Sequence, residues 1–419
     1  MMHSRQGALL MKLACALLGV VFCGVFSRNL CAEPAGRDSL SAVAQGNNAF
    51  AVDLYKALQG RQGNLFFSPY SISTALAMTY AGARGETQAQ MARTLHFGLD
   101  QGSLHPAYGT LASAIAGGCR RPACRLISAN SLWVDSQTRL LPGFLDIAKK
   151  NYGASIHTVD FSTAVEAACG KINSWVAEKT ENKIRRLLQP GSLDPATRSV
   201  LVNAVYFDGR WHVGFDRKTT AKQSFTTRTG DRVSVDMMTA QAHFGYAEDE
   251  TLQVLEMPYE GKQLSMLVLL PKEATGLGPL EDSLTAERLD RWCAELAERA
   301  VRVYIPKITM TAEFQLSETL AAMGMTDAFS APKADFSGVD GTRRLSLSAV
   351  FHKAYVELDE RGTRAAAATG VGMGVTSVPA TGSPPVVRAD HPFIVLIRHK
   401  DTGCILFLGR MEDPREHGG

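Results

Sequence analysis

Residues 360–385 of the 419-residue chain read ERGTRAAAATGVGMGVTSVPATGSPP. The run is small, polar or glycine-rich, and proline gathers toward its end. That composition predicts a long exposed loop, of the size that is usually functional. Alternate positions add a second property. Thr363, Ala365, Ala367, Thr369, Val371, Met373 and Val375 form one set, and Arg364, Ala366, Ala368, Gly370, Gly372 and Gly374 the other. The first set is small and then increasingly apolar, as the buried face of a strand requires, while the second is small or solvated. The glycines make a weak strand of it alone. Such a segment is fit to join a sheet and poorly suited to stand by itself, so a loop state and an inserted state are both open to it. An Ala/Gly-rich flexible loop with chance alternation is the competing account.

Outward from this segment the chain reads as mixed α and β. Apolar residues fall at helical spacing over 47–58, 71–83, 169–178, 286–296 and 316–323. Ser68 followed by Pro69 is a natural start for the second helix. Branched and aromatic residues predict strands over 199–207, 252–258, 264–270, 301–305 and 393–397. Helices come first and strands later, without regular alternation. That order argues for mixed sheets with helices packed on them and against a doubly wound parallel sheet.

Composition sets the outer limits. Hydrophobic residues make up 45% and charged residues 20%, which excludes a disordered or fibrous chain. Three of the 44 basic residues, Arg5, Lys12 and Arg28, lie in the first 32 positions, where no acid occurs; the rest balance the 41 acids. A neutral chain has no global electrostatic reason to bind nucleic acid or an anionic membrane. Lys183, Arg185 and Arg186, and likewise Arg120, Arg121 and Arg125, read as solvated faces.

Arg5 and Lys12 precede the apolar run Leu13 to Phe26 and a zone of small and polar residues. This pattern predicts an export signal over 1–32, cleaved after Ala32, and a secreted or periplasmic protein without a membrane segment after cleavage. Cys119, Cys124, Cys169, Cys293 and Cys404 lie beyond it, an odd number that leaves at least one free thiol. Cys119 and Cys124 flank a turn-like stretch and are a candidate disulfide. No second Cys or His pair lies at ligand spacing, so no metal is expected.

Four widely spaced segments resemble the serpins, the serine-protease-inhibitor family. Asn64 to Ser73, NLFFSPYSIS, is similar to the family's early helix motif, and Leu201 to Phe215, LVNAVYFDGRWHVGF, to its central strand. Gly362 to Thr369, GTRAAAAT, is similar to the hinge of its reactive loop. Ala389 to Phe393 and Leu406 to Pro414 are similar to its C-terminal strands. The resemblance implies one compact domain over 33–419 with three β-sheets, about nine helices and a reactive-centre loop near 360–385. It also implies a single-use mechanism. A protease attacks the loop and forms an acyl-enzyme, the cut loop enters the main sheet as a strand, and the protease is distorted before water can release it.

By position, the resemblance makes Glu360, Gly362, Thr363, Ala365, Ala366, Ala367, Ala368 and Thr369 the hinge. Trp211 falls under the point where insertion begins, and Ser68, Ser71, Asn203 and His352 form a polar cluster where the sheet opens. Counting from Glu360 gives Thr376–Ser377 as the scissile bond, with Val375 and Val378 as alternatives. No Arg or Lys lies between Arg364 and Arg388, so an elastase-like target is expected over one with an acidic pocket. The implied partner is a serine protease, with a cysteine protease as alternative, and the implied protein is a monomer that needs no cofactor and is not an enzyme. A non-inhibitory carrier, chaperone or binding protein of the same fold is the runner-up. No hydrolase or nucleotide-binding motif is visible.

Overall fold

The computed structural model describes residues 33–363 and 383–415. Two sheets organise them. The first has six strands, in the order Ile308–Gln315, Ala349–Leu358, Ser199–Arg210, Cys124–Asp135 and Ser155–Val159, with the short Gly362–Thr363 strand also on Ser199–Arg210. Its central pair, 349–358 and 199–210, is parallel. The second sheet has nine strands and contains the C-terminal strands Phe393–His399 and Ile405–Met411. The 17-residue strand Arg232–Glu248 pairs in turn with Ala221–Thr226, Ala297–Pro306 and Leu252–Pro258. That one long strand fuses what the resemblance counts as two sheets, so backbone pairing yields two main sheets with a third, smaller part. Ten α-helices lie among the described residues, close to the expected nine.

Between the sheets runs the helix Pro69–Tyr80, with all twelve of its residues buried. Its sequence, PYSISTALAMTY, suits that position because small side chains let both sheets approach. Its hydroxyls are satisfied locally: Thr74 donates to Tyr70 O at 2.6 Å and Thr79 to Leu76 O at 2.8 Å. Ser68 caps the helix, its Oγ accepting from Ser71 N, and Pro69 occupies the first turn, where no N–H is missed. The strand segments read from the sequence all fall within observed strands. The predicted 47–58 helix is the second half of Glu33–Leu58.

The C-terminal motif closes the core through a charged knot. Arg410 is fully buried; it pairs with Glu281 at 2.9 Å and Glu412 at 2.7 Å, and donates to Gln59 O at 2.7 Å. Half-exposed Arg228 reaches the same two carboxylates, so the two buried acids are met by one buried and one partly exposed cation.

Candidate functional site: the fork in the central sheet

Pairing between 349–358 and 199–210 runs from Ala349↔Val200 to Tyr355↔Tyr206 and then stops. The rings of Tyr206 and Tyr355 lie 5.8 Å apart at that end. Beyond them the two strands part. The 349–358 strand turns back at Asp359–Gly362, where Asp359 N donates to Gly362 O at 2.8 Å. The returning chain enters the fork. Gly362 pairs with Arg210 and Thr363 with Gly209, antiparallel to the strand that receives them. Approach is close enough that a Cβ on Gly362 would sit 2.0 Å from Gly209 O, and its φ of +145° lies where side chains are rarely tolerated.

Trp211 holds this turn from beneath. Its indole stacks on Tyr259 at 4.6 Å, its Nε1 donates to Asp359 O at 3.1 Å, and its backbone N donates to Arg361 O at 2.9 Å. Phe215 N donates to Glu360 O at 2.8 Å. The Glu360 side chain is only 4% exposed. Lys307 Nζ donates to both carboxylate oxygens at 3.0 and 3.2 Å, and Thr220 Oγ1 donates at 3.0 Å. Burial alone would raise the Glu360 pKa, but its backbone hydrogen bond, the Lys307 ammonium and the Thr220 hydroxyl outweigh it and hold the carboxyl below its ordinary value. Lys307 and Thr220 carry no local signal in the sequence; only the fold brings them to the hinge.

Lower down, the polar cluster assembles across the same strand pair. His352 and Asn203 are register partners. His352 Nδ1–H donates to Asn203 Oδ1, and its Nε2 accepts from Ser68 N at 3.1 Å. Ser68 Oγ donates to Leu406 O at 2.6 Å. The Asn203 amide donates to Ser71 and to Asn130 Oδ1. Ser71 Oγ bonds Ser128 Oγ at 2.7 Å. Burial pushes the His352 imidazole down to about 3, so it is neutral, with the one acceptor nitrogen that Ser68 N needs. Ser68, Ser71, Asn203 and His352 are thus one network, 0–1% exposed. Sequence reasoning missed Asn130 and Ser128, which strand pairing supplies.

Cys119 and Cys124 form a disulfide, and Cys169, Cys293 and Cys404 are free. Among the described residues no group of three His, Cys, Asp or Glu could hold a metal, and no helix is long and apolar enough to cross a membrane. Hinge residues Ala365 to Thr369 and Val375, Thr376, Ser377 and Val378 lie outside the described residues, as does the 1–32 leader.

This is a mixed α/β protein whose central parallel pair forks at one end, with the start of a following segment docked antiparallel in the opening. The chain belongs to the serpin family: the family model described as "Serpin (serine protease inhibitor)" matches residues 45–414. It is 40% identical over 381 residues to Serpin B8 of Bos taurus, spanning 90% of this chain and 100% of that protein. It is 40% identical to the leukocyte elastase inhibitor of Homo sapiens over 386 residues, again 90% of this chain and 100% of that one. The crystal structure of uncleaved ovalbumin matches with a TM-score of 0.82 at 32% identity, covering 89% of this chain and all of ovalbumin. Relatives named as inhibitors place the chain among protease-inhibitor homologues.

These comparisons correct one expectation. Serpin B8 and the leukocyte elastase inhibitor are intracellular serpins without signal peptides, which overturns the assignment of this protein as secreted or periplasmic. The assignment rested on the charge and hydropathy of residues 1–32, properties that do not by themselves fix a compartment.

Proposed function

We propose that this protein is a single-use inhibitor of serine proteases, built as one domain over 33–419 and working as a monomer. The observation that carries the reading is the Gly362↔Arg210 and Thr363↔Gly209 pairing in the fork. Continued at that register, Ala365 would meet Phe207, Ala367 would meet Val205, Thr369 would meet Asn203 and Val371 would meet Leu201. Those partners face the main core, so small or apolar side chains would enter it and no charge would be buried. Arg364 would fall opposite Asp208 on the outer face, an opposite-charge pair. Insertion replaces one parallel pairing by two antiparallel ones, which are somewhat more stable per residue. The polar cluster lets the sheet part without stranding a buried donor.

At the same register Met373 would reach Ser199 at the far end of the sheet. Insertion would carry an acyl-linked protease past about 12 residues, or roughly 40 Å at 3.3 Å per residue. Thr376–Ser377, the proposed scissile bond, comes just after that end. Small uncharged residues around it favour an elastase-like protease, and the name of the leukocyte elastase inhibitor supports that class. The test is incubation with neutrophil-type elastase and with trypsin. A denaturant-resistant complex with the elastase, with the released fragment starting at Ser377, is expected. Cleavage without a complex would favour the non-inhibitory reading, and a complex with trypsin alone would overturn the proposed target class.

A further inference from the structure

The Cys119–Cys124 bridge joins the C-terminal end of the helix Gln101–Gly118 to the first residue of the strand Cys124–Asp135. It sits one strand away from the hinge. Cys124 is the register partner of Gly209, and Arg210 N donates to Ala123 O at 2.9 Å. The opposite edge of the same two residues receives Thr363 on Gly209 and Gly362 on Arg210. Gly209–Arg210 is therefore gripped by the bridged turn on one side and by the hinge on the other. The bridged helix packs on the helices Glu33–Leu58 and Pro142–Tyr152, so the bridge fastens the top of this half-sheet to the body of the molecule.

We infer that the Cys119–Cys124 disulfide is a thiol-responsive brake on strand insertion, an inference that rests on the insertion mechanism proposed above. Widening the fork requires 199–210, with 124–135 beside it, to shift against 349–358. A closed bridge ties 124–135 to a packed helix and resists the shift. An open one releases its first residues. The five-residue separation removes less unfolded-chain entropy than a long loop would, so the bridge acts chiefly through local geometry.

The chemistry is ordinary dithiol exchange. Cys119 is the more exposed partner and Cys124 is buried, so a reductant thiolate attacks Cys119 Sγ. The S–S bond breaks, Cys124 leaves as thiolate and takes a proton. The second thiol of the dithiol then displaces Cys119, and two electrons have passed from the dithiol to the bridge. Exposed Arg120, next to Cys119 in the sequence, adds a positive charge that favours the anionic attacking and leaving groups, while Arg121 is paired with Glu181.

The experiment uses the full chain and a synthetic peptide with the sequence of 362–375, whose insertion is followed by tryptophan fluorescence and by the rise in melting temperature. Three forms are compared: untreated, reduced with dithiothreitol, and the double variant Cys119→Ser/Cys124→Ser. Insertion about tenfold faster in the reduced and double-variant forms is expected, the rate change of roughly one hydrogen bond's worth of barrier. Dithiothreitol should leave the double variant's rate unchanged, which separates the bridge from Cys169, Cys293 and Cys404. Equal rates in all three forms overturn the brake alone. Failure of the peptide to insert in any form overturns the insertion mechanism instead. Should the double variant not fold, untreated against reduced protein still decides.

Discussion

The imidazole of His352 and the amide of Asn203 face each other across the parallel pair, and the His352 Nδ1–H donates to Asn203 Oδ1. This bond spans the seam that, under the proposed insertion, would have to open for a strand to enter. It also needs a neutral ring, because the other ring nitrogen accepts from Ser68 N. A proton there would set two donors against each other.

A pH dependence follows from that arrangement. Burial pushes the His352 pKa down to about 3, against about 6.5 in the unfolded chain, so below pH 6.5 the unfolded state binds the extra proton. The contribution is complete above pH 6.5 and is lost progressively between pH 6.5 and 3. Urea midpoints should correspond to about 2 kcal/mol less stability from this group at pH 5 than at pH 7. The variant His352→Gln should flatten that part of the profile; an unchanged slope would count against the assignment.

The hinge carboxylate gives a second expectation. Glu360 is held by Lys307 and Thr220. Lys307→Met removes the nearer cation and leaves the carboxylate with the Thr220 hydroxyl and the more distant, half-exposed Arg217 at 3.8 Å, costing about 1–2 kcal/mol. Thermal unfolding should register the loss, and limited proteolysis should show 360–363 cut faster than in the parent. A variant with parental stability and parental cutting would show that the pair does not anchor the hinge.

Thr369 should act only after cleavage. At the extended register it arrives between Asn203 and His352, where its hydroxyl can take over their broken bond. Thr369→Val should leave the stability of the uncut protein within about 0.5 kcal/mol. In the cut form it strands a buried donor at a cost of about 1–3 kcal/mol. The gain in heat resistance on cleavage should shrink, as read by calorimetry before and after cutting. An equal gain in both proteins would contradict the register.

Residue 376 should control target choice. Thr376→Arg places a cation where an acidic primary pocket would bind it. Complex formation with trypsin should appear and that with elastase should fall by about tenfold or more, measured as association rates. Trypsin cleavage at another bond would relocate the scissile site.

Much of this site is legible one residue at a time because its signals are local. Ser68–Pro69 announces a helix start, and the structure has that cap. The branched run at 199–207 announces a buried strand, and the alternation through Thr363 agrees with the odd-numbered core face of 199–210. Asn130, Lys307 and Thr220 are different. Asn130 meets Asn203 across 73 positions and Lys307 meets Glu360 across 53, so neither has a motif of its own. How the sheets join is not legible for the same reason: it depends on which strands share Arg232–Glu248, a non-local fact. The compartment was not legible because hydropathy describes a segment's solvent preference and not its destination.

Position 362 carries a last consequence. Its α-carbon lies against the carbonyl of Gly209, with room for hydrogen and nothing larger. Alanine there would keep the ribbon from seating, and the protease would simply digest the protein it should have been caught by. Under the proposed mechanism, one methyl group at this place would separate a snare from a foodstuff.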